Sequence, residues 1–205
     1  AFDTVNIAGT IYTDPRLDYT IGRENAQLAW IDDAITFSSD WTETGYIAKK
    51  QLQPISEIPG NIKGDGDLNY TAIRYADVLL WIAEAYNEDG NPAAALPYLN
   101  SIRKRARECF QVDENLVNHP DTPEGLLEDI SVTDQNILRD MIRHERRTEL
   151  GFEFHRYFDI MRYGEAYANG VFSEVENFNY QKNRYLPYPQ RELDTNYELR
   201  NYIKN

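Results

Sequence analysis

The segment from residue 137 to residue 163 constrains the fold most strongly, because apolar residues recur along it at the spacing of an α-helix. Met141 lies three residues after Leu138, and continuing that stripe by fours places Glu145 and Glu149 among the apolar positions. A carboxylate on a buried helical face costs free energy unless a cation pairs with it. The pattern therefore predicts a helix whose core face contains ion pairs.

Two readings of these carboxylates are open. Glu145 and Glu149 lie one turn apart, with Cβ atoms about 5 to 6 Å from each other, close to the about 5 to 5.5 Å between the carboxyl groups of a retaining glycosidase. Catalytic acids must flank a bond from opposite sides of a cleft, however, and two acids on one buried helical face do not. We therefore predict structural ion pairs and no catalytic residue, with partners among the nearby arginines Arg143, Arg146, Arg147, Arg156 and Arg162.

The same segment carries one of several motifs that occur along the chain. From Glu145 to Arg162 it reads Glu-Arg-Arg-x-Glu-Leu-x-Phe-Glu-x-x-Arg-Tyr-Phe-Asp-Ile-x-Arg. The others are Asp14-Pro15-Arg16-Leu17, Thr44-Gly45-Tyr46 followed by Lys49-Lys50, Arg74 to Ala85, Leu99 to Arg103, and Leu186 to Leu193 with Asn196. Together they resemble the motifs of the SusD/RagB family, in family order. Three positions depart from the family pattern: Phe154 stands where Gly is usual, Tyr188 where Ile is common, and Tyr197 where Pro is common.

The resemblance implies a fold and a function. The fold would be mainly α, with tetratricopeptide-like helical hairpins and long ordered loops. Proteins of this family are lipid-anchored, surface-facing outer-membrane proteins of Bacteroidetes-type bacteria that bind glycans without catalysis. They form a lid on a SusC-like TonB-dependent transporter, and no cofactor is implied. Because family members are longer, we expect the chain to be the C-terminal portion, with the lipid-bearing cysteine in an N-terminal part absent here.

Within that portion we expect four segments. Residues 1–70 are interrupted by glycine and proline and read as loop-rich, with brief strands at Thr10 to Thr13 and Thr44 to Ala48. Residues 74–108 form a helical hairpin of tetratricopeptide length around the turn Asp89-Gly90-Asn91-Pro92. Residues 134–166 hold a second helix pair, and residues 167–205 form a tail that Pro187 and Pro189 keep extended. We therefore expect about 45% of the residues in helices and fewer than about 12% in strands, whereas globular proteins average roughly 30–35% and 20–25%.

Composition excludes several classes of function. A net charge of −13 argues against binding nucleic acid, which needs a basic face. The single cysteine, Cys109, excludes an intrachain disulfide and a cysteine metal cluster. The three histidines, His119, His144 and His155, lack the spacing of a metal site. Asp65 and Asp67 sit in a glycine-rich run that hints at calcium, although it lacks the remaining ligands of an EF-hand loop.

The candidate ligand-binding residues are aromatic. Trp30, Trp41 and Tyr46 lie in the loop-rich segment, where flat rings can stack on the CH-rich faces of sugars. The polar neighbours that could bind sugar hydroxyls are Arg23, Asp32, Asp33, Asp40, Thr42 and Glu43. The competing interpretation is that each tryptophan pins its loop to the helices, as Trp81 is expected to fill the core from within a helix. The alternative function is a tetratricopeptide-type adaptor that binds a peptide of a protein partner.

Overall fold

The computed structural model describes residues 2–26, 36–52, 68–109 and 111–204. It is 47% helix with few short strands, which confirms the mainly α class. The α-helices are α1 (Arg16–Thr20), α2 (Tyr75–Glu88), α3 (Pro92–Arg107), α4 (Gln135–Glu149), α5 (Arg156–Arg162), α6 (Glu165–Val171), α7 (Tyr180–Asn183), α8 (Gln190–Thr195) and α9 (Tyr197–Lys204). The strands are β1 (Thr4–Ile7), β2 (Thr10–Thr13), β3 (Ile21–Gly22), β4 (Ile47–Ala48), β5 (Gln111–Val112) and β6 (Asn118–His119). The chain divides into two compact units, Ala1–His155 and Arg156–Asn205.

The core of the first unit lies between α2, α3 and α4. Each helix contributes the apolar residues of one face, and the fully buried members are Leu80 and Ala83 from α2, Ala95, Leu99 and Ile102 from α3, and Leu138 and Ile142 from α4. These positions recur at intervals of three or four residues, which is the pattern of an amphipathic helix. Burying this face stabilises the three helices together, and the helix α4 thereby acquires a fixed position beside the hairpin of α2 and α3.

The turn between α2 and α3 follows from its sequence. Gly90 has a φ of +79°, a conformation that costs glycine little and other residues more. Pro92 occupies the first turn of α3, where its missing N–H is not needed. Asn91 stands at the N-cap position, but its side chain makes no capping hydrogen bond. The turn therefore depends on the backbone preferences of glycine and proline rather than on side-chain capping.

The described part of the first unit also contains three antiparallel strand pairs. β1 pairs with β2 from Thr4–Thr13 to Ile7–Thr10, and β5 pairs with β6. β3 pairs with β4 through Ile21–Ala48 and Gly22–Ile47. The pairing continues beyond these strands, because the backbone N–H of Asn25 donates to the carbonyl of Phe37 and the N–H of Phe37 donates to Ala26. We call residues 21–26 and 36–48 the aromatic hairpin.

The second unit has its own small core. Ile160, Met161 and Ala168 are buried there, and aromatic side chains pack around them: Tyr157, Tyr167, Phe172, Phe178 and Tyr180. The prediction of an extended tail was wrong, because the segment contains α7, α8 and α9. A proline restricts the residue before it, so Pro187 and Pro189 leave the residues from Gln190 onward free to form α8.

Two sequence expectations about the helices are corrected. Trp81 is 41% exposed, so it does not fill the core as expected. The guanidinium of Arg146 lies 5.8 Å from the centre of the Trp81 ring, a cation–π contact that suits a partly exposed indole. The predicted second helix pair is divided, since α4 belongs to the first unit and α5 to the second. Among the described residues, no helix is long and apolar enough to cross a membrane.

Candidate functional site

Glu145 lies at the centre of the packed face of α4 with 1% of its surface exposed. Its Oε1 accepts a hydrogen bond from Nη1 of Arg16 at 2.5 Å, and its Oε2 accepts one from Nη1 of Arg103 at 2.8 Å. Arg16 comes from α1 and Arg103 from α3, so the carboxylate joins two elements to α4. Charge-assisted hydrogen bonds of this kind are roughly twice as strong as neutral ones.

Glu149, one turn further along α4, is also buried. Its Oε1 accepts from Nη1 of Arg74 at 2.5 Å and from Arg105, and its Oε2 accepts from Nη1 of Arg16 at 3.0 Å. Burial alone would raise the pKa of Glu149, but the positive charges of Arg74, Arg105 and Arg16 outweigh burial and lower it to about 2. The side chain is therefore a carboxylate near neutral pH.

Three more charged side chains extend these contacts. Asp14 accepts from Nη2 of Arg16 at 2.6 Å, and Glu153 accepts from Nε of Arg74 at 2.7 Å and from Nζ of Lys50 at 2.5 Å. Burial tends to raise the pKa of Glu153, but the hydrogen bonds from Arg74 and Lys50 lower it. We call the whole set the ion cluster: Asp14, Arg16, Lys50, Arg74, Arg103, Arg105, Glu145, Glu149 and Glu153.

The partners of Glu145 and Glu149 differ from the predicted arginines. Arg146 donates from Nη1 to Oδ1 of the buried Asp77 at 2.5 Å. Arg156 lies in the second unit, where its guanidinium is over the ring of Tyr167 at 5.8 Å. The observed cations come from α1, from α3 and from the N-cap of α2 rather than from the helix that carries the acids. A helix places residues three or four apart on one face, so sequence neighbours of a buried acid usually point elsewhere.

Five of the six motifs that carry the family resemblance contribute residues to the ion cluster. Arg16, Lys50, Arg74 and Arg103 belong to four separate motifs along the chain, and each bonds a carboxylate of the fifth, on or just after α4. Sequence reasoning singled out both glutamates but missed these cations. The available signal was that each motif holds a basic residue, while the fifth has acids at apolar positions. The motifs therefore describe a scaffold, and a ligand surface has to be sought elsewhere.

Exposed aromatic rings lie in the aromatic hairpin. Trp41 and Tyr46 are each 58% exposed, whereas Phe37 is 1% exposed. The rings of Phe37 and Trp41 meet edge to face with centroids 5.6 Å apart. The buried residue that anchors this loop is therefore Phe37, and most of the Trp41 ring remains available to a ligand. Trp30 lies outside the described residues, as do Asp32 and Asp33.

The turn between Trp41 and Tyr46 is held by hydrogen bonds within itself. Oγ1 of Thr42 donates to the carbonyl oxygen of Tyr46 at 3.0 Å, and Oγ1 of Thr44 donates to the same oxygen at 3.2 Å. Gly45 has a φ of +71°, which a residue with a side chain rarely adopts. These hydrogen bonds and the conformation of Gly45 thus fix the backbone of the turn that connects Trp41 to Tyr46.

Polar residues lie near Trp41 and Tyr46 in the sequence and in the paired strand segment. Asp40 and Glu43 are exposed on either side of Trp41 in the sequence. Glu24 accepts a hydrogen bond from the backbone N–H of Ser39, and bonding from Ser39 lowers its pKa. Nη2 of Arg23 donates to Oδ1 of Asp18 at 2.9 Å. Arg23, which was expected to bind sugar hydroxyls, therefore already pairs with a carboxylate.

The histidines have ordinary polar surroundings. Nε2 of His119 lies 3.0 Å from a carboxylate oxygen of Asp113, and Nε2 of His144 lies 2.9 Å from one of Asp3. His155 is 3.8 Å from the buried Asp77. No group of three or more His, Cys, Asp or Glu in the described part of the chain is placed to hold a metal ion. The possible calcium-binding run at Asp65 and Asp67 lies outside the described residues.

Comparisons with known proteins all lead to one family. The sequence model of the SusD family matches residues 10–204. Among curated proteins, the chain is similar to "SusD-like protein P2" of Formosa agariphila, with 35% identity over 146 residues, covering 69% of this chain and 27% of that protein. "SusD-like protein P38" of the same organism is 38% identical over 100 residues, covering 49% of this chain and 18% of that protein. The chain thus spans about a quarter or less of the length of these relatives.

Solved structures give the same result for the fold. A SusD-like protein of Bacteroides fragilis is similar with a TM-score of 0.57 and 26% identity, covering 79% of this chain and 29% of that one. A SusD homolog of Bacteroides thetaiotaomicron has a TM-score of 0.53 and 23% identity, covering 91% of this chain and 42% of that one. At that identity the second likeness shows the fold alone.

Proposed function

The chain belongs to the SusD family, and on this premise we propose that it contributes to non-catalytic binding of a glycan at the cell surface. One observation carries the proposal. Trp41 and Tyr46 are largely exposed on a loop whose own anchor, Phe37, is buried separately. An aromatic ring kept exposed beside a buried anchor is free for a ligand, whereas a ring needed for packing would be covered.

The chemistry of this surface suits a sugar. The CH groups of a pyranose ring stack on the face of an indole or phenol, while the hydroxyl groups need hydrogen-bond partners at the edge. Asp40 and Glu43 supply exposed carboxylates next to Trp41 in the sequence, and Tyr46 adds a phenolic hydroxyl. Apolar stacking with polar groups at its margin is the composition expected of such a site.

The ion cluster supports binding without catalysis. A glycosidase needs a carboxylic acid whose pKa is raised so that it can protonate the leaving group. The pKa of Glu149 is instead lowered to about 2, and its oxygens accept from Arg74, Arg105 and Arg16. Glu145 likewise has both oxygens occupied by arginines. These two acids thus serve the scaffold in our proposal.

The proposal extends to the setting in which binding occurs. We assign the protein to the outer membrane, facing outward and held there by a lipid anchor in a part of the protein beyond this chain. Its partner would be a SusC-like TonB-dependent transporter, which receives the bound oligosaccharide. Family membership supports both statements, and co-purification of the protein with such a transporter from outer membranes tests them.

The experiment for glycan binding compares single substitutions. A glycan array with the protein first identifies an oligosaccharide, and isothermal titration then measures its affinity for Trp41→Ala and Tyr46→Ala. Truncating a central aromatic anchor costs about 2 kcal/mol, roughly thirtyfold in Kd. We expect that loss with an unchanged melting temperature, because both rings are mostly exposed. Trp81→Ala, which alters an exposed tryptophan of α2, is the matched control.

Two results would contradict this site. If both hairpin variants bind the oligosaccharide with unchanged affinity, the ligand contacts another surface. If the variants lose affinity only together with thermal stability, Trp41 anchors its loop and does not contact the sugar. Binding of the wild-type protein to no glycan on the array would remove the basis of the proposal itself.

The alternative function, an adaptor for a protein partner, has one observation in its favour. Helix α2 exposes three aromatic side chains, Tyr75 at 74%, Trp81 at 41% and Tyr86 at 38%. Tetratricopeptide-type hairpins bind peptides through helical surfaces of this kind. Trp81→Ala separates the two functions, because it should weaken peptide capture and leave glycan affinity unchanged.

A further inference from the structure

We propose that the end of α4 and the turn that follows it, residues 149–153, are a positioning device for the aromatic hairpin, because they hold the chain at both ends of that hairpin. The inference rests on the proposed function for its biological meaning. The contacts themselves do not depend on that function. They are made by Arg16 and Thr20 before the hairpin and by Lys49 and Lys50 after it. The acceptors are the buried groups from Glu149 to Glu153.

The chain entering the hairpin is held first. Arg16, at the start of α1, donates from Nη1 to Oε2 of Glu149 at 3.0 Å. Thr20, at the end of α1, is 1% exposed and packs so closely that a Cβ added at Gly151 would lie 3.2 Å from its Cγ2. β3 begins at the next residue, Ile21. The entry point is therefore fixed by an ion pair and by steric contact with the same turn.

The chain leaving the hairpin is held at the same turn. Lys50 comes two residues after β4, and its Nζ donates to the carbonyl oxygen of Glu149 at 2.7 Å and to Oε1 of Glu153 at 2.5 Å. The backbone N–H of Lys49 donates to the carbonyl of Thr20 at 3.0 Å, which joins the two ends to each other. Both ends of the hairpin are thus held by the same short segment, residues 149–153.

We call these contacts of residues 149–153 with both ends of the hairpin the clamp. The clamp matters because the hairpin has little stability of its own. β3 and β4 pair through only two residues each. An isolated two-stranded hairpin is at best marginally stable in water. Trp41 and Tyr46 are each 58% exposed, so packing covers less than half of either side chain. The orientation of both rings relative to the helices therefore depends on the fixed ends and on the buried Phe37.

Lys50 offers the sharpest test, because its removal leaves the helical core of α2, α3 and α4 untouched. Lys50→Met keeps an unbranched side chain that is one atom shorter and removes the charge, whereas Lys50→Arg keeps the charge. Lys104→Met is the control, since Lys104 is exposed on α3. Amide hydrogen exchange measured by mass spectrometry, without any ligand, compares peptides covering residues 37–48 with peptides covering α2, α3 and α4.

We expect Lys50→Met to speed exchange in residues 37–48 at least tenfold and to leave exchange in the three helices unchanged. Lys50→Arg should restore most of the protection, and Lys104→Met should change neither region. A uniform increase throughout the first unit would overturn the proposal, because Lys50 would then act only on global stability. Unchanged exchange in the hairpin would overturn it as well.

The glycan array distinguishes this proposal from the proposed function. The Lys50→Met variant can loosen the hairpin and also give a weaker array signal than the wild-type protein. In that case the contacts at residues 149–153 position a binding surface. If the variant loosens the hairpin while the array signal stays the same, the clamp stands and the assignment of the glycan site to the hairpin is overturned.

Discussion

A carboxylate on the packed face of a helix is tolerated only when other groups replace the water that it loses. Both oxygens of Glu145 are matched in this way, by guanidinium groups of Arg16 and Arg103. Replacing the glutamate by alanine would remove a counter-charge from each of two buried arginines at once, although Arg16 would keep its bonds to Asp14 and Glu149. The cost of breaking such a pair falls mainly on the partners that remain.

We therefore expect Glu145→Ala to lower the free energy of unfolding by about 3 to 5 kcal/mol. Chemical denaturation followed by circular dichroism measures the change. Glu124→Ala is the control, because Glu124 is exposed and should shift stability by less than about 0.5 kcal/mol. Normal stability of Glu145→Ala together with loss of a measurable glycosidase activity would reverse our interpretation and make the residue catalytic.

The sequence predicts the residue scale only in part. The burial of Glu145 could be inferred because helical periodicity is local information, contained within seven residues. Its partner Arg16 is 129 residues away in the chain, and no periodicity connects the two positions. Trp41 could be identified as a candidate for stacking, but its exposure depends on Phe37 filling the space beneath the loop. Helical periodicity gives no signal for the distant Arg16 contact, and the burial of Phe37 is decided by packing in the folded loop.

At the scale of elements, the α2–α3 hairpin depends on the backbone conformation of one residue. Gly90 has a φ of +79°, and a Cβ added there would meet no atom within 4 Å. Substitution is therefore free of steric contact with neighbours, and the remaining cost is the conformation itself. A left-handed conformation costs an L-residue about 1 to 2 kcal/mol relative to glycine.

We expect Gly90→Ala to reduce the stability of the protein by about 1 kcal/mol. Gly170→Ala provides a comparison of opposite sign, because Gly170 lies in α6 with open space around its Cβ position. There alanine should be neutral or stabilise by up to about 1 kcal/mol, since it has the higher helix propensity. Thermal melts of both variants make the measurement. Equal destabilisation by both would show that added bulk, and not backbone conformation, decides the effect at Gly90.

The elements were predicted best where periodicity extended over several turns. Helices α2, α3 and α4 have 14, 16 and 15 residues, long enough for a stripe to repeat. The strand expected at Thr10 to Thr13 is present, and only Ile47–Ala48 of the second expected strand is paired. Helices α8 and α9 were missed because they have 6 and 8 residues, too few to display a repeating apolar face. Trp81 was misplaced because an apolar side chain can lie at a partly exposed position under an arginine.

At the scale of the molecule, the ion cluster joins segments that are distant in the chain. Asp14, Lys50, Arg74 and Arg103 come from four regions, and all of them contact the cluster around α4. Removing the charge from the central carboxylates would weaken several of these connections together. Stability of the first unit should therefore depend on pH in the range where those carboxylates titrate.

The sign of this dependence follows from Glu149. Its pKa is about 2 in the folded protein against 4.5 as the ordinary value, because Arg74, Arg105 and Arg16 together outweigh the effect of burial. A carboxylate with a lowered pKa binds protons more weakly in the folded state than in the unfolded state. The stabilisation is thus complete above about pH 4.5 and disappears as the pH falls toward about 2. The pKa of Glu153 is lowered too, which adds to the effect in the same direction.

We expect the free energy of unfolding to fall by about 3 kcal/mol between pH 5 and pH 2 on account of Glu149 alone, since one pKa unit corresponds to about 1.4 kcal/mol. Urea denaturation at pH 2, 3, 4, 5 and 7 gives the profile. Glu149→Gln removes the titrating group, so the variant should be less stable at pH 7 and lose less stability on acidification. Glu43→Gln, which alters an exposed carboxylate, should follow the wild-type profile. If Glu149→Gln showed the full acid dependence of the wild type, the protons that unfold the protein would bind elsewhere, and Glu149 would not be the carboxylate through which acid weakens the ion cluster.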